Sequence, residues 1–125
     1  MAKLQVEGDE LVVTMHSAEE LGAVHGPVRV PLSAVSAVRV VDDPWAELRG
    51  LRAPGTGIPG VIALGTRRGG FGKDFAAVYR HRPAVVVDLE GAEFSRLVVT
   101  VDDAAEVAAR IAAAAGPPGP GISRP

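Results

Sequence analysis

Apolar runs in this chain are short, and each has a Gly, Pro or Asp within two residues of at least one end. Residues 3–6, 11–15, 28–32, 38–41, 61–66, 74–80, 84–89 and 96–101 are each rich in β-branched or alternating apolar residues. Such runs are too short for packed helices and have the length of strands. Turn residues separate them: Gly8-Asp9 reads as a hairpin, Asp42-Asp43-Pro44 as a break, and His81-Arg82-Pro83 as a turn. Arg67 to Gly72 reads as a tight connection and Glu90 to Glu93 as a link between two strong strands. The segment 52–60 holds two Pro and three Gly and reads as a loop.

Helical signals are few. Ser17 with Glu20 forms a capping box, so a short helix is expected there, ended by Gly26-Pro27. Residues 45–51 allow one helical turn after Pro44. The last element differs from all the others. Asp102-Asp103 can cap a helix in which Ala104, Val107, Ala108, Ile111 and Ala115 share one face. Gly116-Pro117-Pro118 stops it, and the Gly/Pro-rich stretch 116–125 reads as a disordered tail. The expected object is a single mainly β domain over residues 1–115, a barrel or sandwich of about seven short strands closed by one C-terminal α-helix.

This run of strands resembles a pleckstrin-homology-like (PH-like) barrel, and more closely a bacterial PH-domain-like protein. The residues carrying the resemblance are Val28-Arg29-Val30-Pro31-Leu32-Ser33-Ala34-Val35, the strands 84–89 and 96–101, and the helix from Asp103, within roughly residues 3 to 115. The resemblance implies a strongly bent sheet closed at one end by the helix, and a role in binding or assembly in place of catalysis. Eukaryotic relatives often bind phosphoinositides through a basic loop between the first two strands. Here that loop is Glu7-Gly8-Asp9-Glu10, which is acidic and argues against that ligand. The tryptophan usual in the closing helix is missing, since the only Trp is Trp45.

Motif chemistry is sparse. Gly55-Thr56-Gly57-Ile58-Pro59-Gly60 spells G-x-G-x-x-G, but Pro54 precedes it and a β-like run follows, where a dinucleotide site needs a helix. Gly69-Gly70-Phe71-Gly72-Lys73 lacks the first Gly and the Ser/Thr of a phosphate loop. The chain has no Cys, and His16, His25 and His81 follow no metal-binding spacing. No nucleophile motif is present, and Asp42-Asp43 and Asp102-Asp103 are accounted for by turns and caps. The expectation is a protein without enzymatic activity, cofactor or metal. A lone Trp45 reads as a core or loop anchor.

Charge is distributed unevenly. Net charge is −2, which does not fit a strongly basic nucleic-acid binder, and 4% aromatic residues leave few stacking platforms for single strands. Between Arg49 and Arg82, seven basic residues meet one acid, Asp74, so this stretch carries +6 and the remainder −8. If the loops at 49–60 and 67–73 share a rim, Arg49, Arg52, Arg67, Arg68 and Lys73 form a basic patch with Phe71 at its tip. The expected partner is a protein, including further copies of the chain; an anionic lipid surface is the alternative, and a small enzyme with an unrecognised site is the third reading. With no leader-like N-terminus and no long apolar stretch, the chain reads as soluble and cytoplasmic.

Overall fold

The computed structural model describes residues 2–14, 28–49, 51–58 and 62–115, with the backbone alone for 51–58 and 62. The helix expected from Ser17 and the tail 116–125 lie outside these residues. The described residues form two sheets and one helix. The smaller sheet is an antiparallel set of β1 (Lys3–Glu7), β2 (Glu10–Thr14) and β3 (Val28–Pro31), in that order. The larger sheet holds β4 (Val35–Val41), β5 (Leu51–Ile58), β6 (Ile62–Gly69), β7 (Gly72–Tyr79), β8 (Ala84–Leu89) and β9 (Arg96–Thr100). Helix α1 (Ala104–Ala115) follows the last strand.

Local chemistry explains the ends of these elements. Gly8 stands at φ 61 in the two-residue turn between β1 and β2, where Glu7 pairs with Glu10. A positive φ at the first turn position favours glycine. The β6–β7 hairpin closes with Gly69 opposite Gly72. Gly72 sits at φ 112, and a Cβ there would lie 2.9 Å from the Ser95 Oγ, so the site excludes larger residues twice over. Helix α1 begins after Asp103, which takes φ 55 and accepts the Val107 N–H at 3.0 Å. Its buried face is Ala104, Val107, Ala108 and Ile111, as the periodicity predicts.

The core lies between the sheets. Leu4, Leu11, Val13, Val28 and Val30 from the smaller sheet meet Phe75, Val85, Val87, Leu97 and Val99 from the larger one, and α1 adds Val107 and Ile111. Phe75 and Phe94 pack edge to face at 5.8 Å inside it. Helix α1 lies against β4, β1 and β8.

The larger sheet runs β4-β8-β9-β7-β6-β5, and its one parallel pair is β7–β9. The observed fold is therefore mainly β with a C-terminal helix, as expected, but it has nine strands among the described residues and no closed barrel. The composition of β8 and β9 gives the reason. Val85, Val86, Val87, Leu97, Val98 and Val99 are all buried, so both faces of these strands need cover. Such strands belong in the middle of a sheet. Placing β9 between β8 and β7 puts β4 and β5 at opposite edges, where they cannot pair with each other.

Over residues 52–58 the loop reading is corrected, because Leu51–Ile58 is strand β5; residues 59 and 60 lie outside the described residues. Pro54 falls inside a register shift between Arg52 and Gly55, on an edge strand. A bulged edge is where a strand tolerates a residue without an N–H.

Because β4 and β5 are consecutive strands at opposite edges, the link between them must cross the sheet. Five inter-strand spacings of about 4.8 Å span roughly 24 Å. Part of the link is a 3-10 turn over Pro44–Glu47, N-capped by Asp43, whose Oδ1 accepts the Trp45 N–H at 3.2 Å. A 3-10 turn rises only about 2 Å per residue, so the strap has little slack. It runs over the outer face of the sheet, where Trp45 and Leu48 pack on Ala63, Ala76, Val78, Val86 and Val98.

Candidate functional site

Beside that apolar patch, the outer face of the larger sheet carries a row of charges. The register sets Asp88 on β8 opposite Arg96 on β9, and Arg96 opposite Asp74 on β7. Asp74 stands opposite Arg67 on β6, and Arg67 opposite Arg52 on β5. Opposite positions across a ladder share a face. The row thus alternates in sign from β8 to β6 and ends with two arginine positions at the β5 edge.

The strap supplies the remaining charges. Arg49 grips Asp74 with two hydrogen bonds, Nε to Oδ2 at 2.8 Å and Nη2 to Oδ1 at 2.9 Å. The Asp74 side chain is only 3% exposed, so it depends on this partner. Hydrogen bonding to Asp74 raises the Arg49 pKa above its ordinary value, against the opposing effect of burial. Arg67 Nε donates to the Arg49 carbonyl at 3.1 Å. Further along, Arg96 Nε donates to Asp88 Oδ1 at 2.8 Å and its Nη1 reaches the Glu47 carbonyl at 3.3 Å. Arg39 on β4 donates to Glu47 Oε1 at 2.9 Å, and that bond raises its pKa as well. The strap is thus held to the sheet by Glu47 and Arg49, and by Trp45, whose Nε1 donates to the Arg80 carbonyl at 2.7 Å. Trp45 is the anchor that its sequence context implies.

The six candidate residues gather at one end of the larger sheet. Pairing of β5 with β6 sets Arg52 beside Arg67 and Leu51 beside Arg68. The two basic segments are therefore neighbours in space. Arg68 is exposed and stands opposite Lys73 in the β6–β7 hairpin. The guanidinium of Arg49 lies 4.1 Å from the centre of the Phe71 ring, and the Phe71 carbonyl accepts a hydrogen bond from Ser95. Phe71 is thus a half-buried platform under Arg49. Lys73 pairs with Glu93 at 2.9 Å and lies over the Phe94 ring. The side chain of Arg52 lies outside the described residues, and its register position on β5 places it beside Arg67.

Sequence reasoning found these cations but missed the row that organises them: Asp88, Arg96, Glu47 and Arg39. One signal was readable. In Gly72-Lys73-Asp74-Phe75-Ala76-Ala77-Val78, strand alternation puts Asp74 on one face with Ala76 and Val78. A carboxylate in an apolar row needs a cation.

The G-x-G-x-x-G motif starts inside β5, with Gly55 and Gly57 both in the strand and not at a helix N-terminus. Among the described residues no group of three or more His, Cys, Asp or Glu is placed to hold a metal, and no helix is long and apolar enough to cross a membrane. A half-open groove of about 260 Å³ lies between β1 and α1. Lys3, Arg110 and Asp102 all line it, and Arg110 is itself paired with Glu106, so its rim is of mixed charge. Comparison with protein-family models, curated proteins and solved structures finds no match for this chain.

Proposed function

We propose that the chain is a non-catalytic binding module of PH-like character that takes an extended protein segment along the β5 edge of its larger sheet. The observation that carries this reading is the strand order: β5 ends the sheet, pairs only with β6 among the described residues, and has the basic cluster beside it. An edge strand presents unpaired N–H and C=O groups, a ready template for another strand. The opposite edge strand, β4, has α1 packed against it. Two sheets with a C-terminal helix over the core also support the PH-like reading at the level of architecture. The anionic-lipid alternative is less favoured, because Arg49, Phe71 and Lys73 are each engaged within the fold.

The test is selection of short random peptides on the full chain, followed by binding to Thr56→Pro and Gly57→Pro variants. Strand N–H groups alternate in direction, so one of these two positions faces away from β6. Proline there should weaken the selected peptides about fivefold through one lost hydrogen bond, with the circular dichroism spectrum unchanged. Peptides whose binding ignores both variants would show that β5 is not the docking edge.

A further inference from the structure

The charged row carries information about the partner. From β8 to β6 it reads Asp88, Arg96, Asp74, Arg67, each opposite in sign to the next. At β5 the alternation fails, because Arg52 stands opposite Arg67. Opposite charges across a ladder stabilise the pair and like charges oppose it. A strand added outside β5 would restore the alternation by placing a carboxylate opposite Arg52.

We infer that the partner is an acidic extended segment, with an Asp or Glu at the position that pairs with Arg52. This rests on β5 being the docking edge. A second copy paired symmetrically through the same strand cannot supply that carboxylate, since β5 reads Leu-Arg-Ala-Pro-Gly-Thr-Gly-Ile and contains no acid. The occupant is therefore an acidic strand other than β5 itself, and we take it to come from another protein. Recognition combines backbone pairing, which supplies affinity, with the concentration of basic register positions at this sheet end, which favours an acidic strand.

The peptide selection tests this directly when repeated on Arg52→Glu. On the native chain, selected peptides should be enriched in Asp or Glu at one position within a β-prone stretch. On Arg52→Glu that position should turn to Lys or Arg, and the original peptides should bind about tenfold more weakly. Arg52→Gln should fall between the two, and neither variant should melt below the native chain, since each relieves the like-charge pair with Arg67. Peptides that depend on the β5 proline variants but show no acidic preference would overturn the inference and leave edge docking standing. Peptides indifferent to the proline variants would remove both. Concentration-dependent dimers broken by the β5 proline would overturn the heterologous partner in favour of self-pairing. Binding to vesicles with an anionic lipid, lost in Arg52→Glu while no acidic peptide is selected, would overturn it in favour of a membrane surface.

Discussion

The two faces of the larger sheet are made by the same strands and differ in almost every other respect. On the inner face Phe75, Ala77, Val85, Val87, Leu97 and Val99 form a continuous apolar layer under the smaller sheet and α1. On the outer face, one end is small and apolar and the other is a row of ion pairs under a strap. Burial on the inner face is non-directional, and it stabilises any register that keeps the layer intact. The row on the outer face is directional. A slip of two residues would keep the apolar layer facing inward but set Ala76 in the place of Asp74 opposite Arg67 and Arg96. The inner face therefore stabilises the fold, while the outer face fixes its register and presents an incomplete charge pattern at the β5 edge.

The largest effect should come from the inner face. Phe75 is fully buried and touches the Phe94 ring edge-on. Phe75→Ala should lower unfolding free energy by about 3–5 kcal/mol, from lost transfer energy and the cavity left behind. Urea denaturation checks this. A loss below about 1 kcal/mol would mean that the space between the sheets collapses freely, unlike a close-packed core.

A smaller loss is expected on the outer face, and its cause is different. Arg49→Ala removes the partner of a carboxylate that is almost fully buried. Breaking such a pair from one side costs roughly 3–5 kcal/mol when both ions are buried. Arg49 itself is 33% exposed, so about 2–3 kcal/mol is expected here. The double variant Arg49→Ala with Asp74→Ala should recover part of this, because the stranded charge is gone. If the double variant is as unstable as the sum of the two singles, the pair is not a unit and the row is only a list of neighbours.

What the sequence makes legible follows from how local each cause is. The Gly8 turn, the buried face of α1 and the strand character of the Val runs in β8 and β9 depend on residues close together in the chain. Each could be read without knowing the fold. Strand β5 could not, because Pro54 and its glycines are tolerated only at an edge, and being an edge is a property of the whole sheet. The same holds for the site. The cations of the basic stretch are plain in the sequence, but the groups that organise them are far apart in the chain. Arg49 meets Asp74 across 25 residues, and Arg96 meets the carbonyl of Glu47 across 49. Those meetings require the crossing strap and the parallel β7–β9 pair, which no local pattern encodes.

The smallest effect sharpens the comparison by holding chemistry constant and changing burial. Arg29 on β3 is also an arginine facing carboxylates across a ladder: it lies 3.4 Å from Glu7 and 3.2 Å from Glu10. Its side chain is 52% exposed and its partners 48% and 42%, so water competes for every bond and salt screens the charges. Arg29→Met keeps the apolar stem over the sheet and removes only the charge. It should shift stability by no more than about 0.5 kcal/mol. The shift should shrink further at high salt, while the Arg49→Ala loss stays nearly constant because its carboxylate is shielded from ions. Denaturation of both variants at low and high salt separates the two cases. Equal salt dependence would mean that water reaches Asp74 as freely as it reaches Glu10. The outer row would then be a surface ion-pair network with no claim to set register.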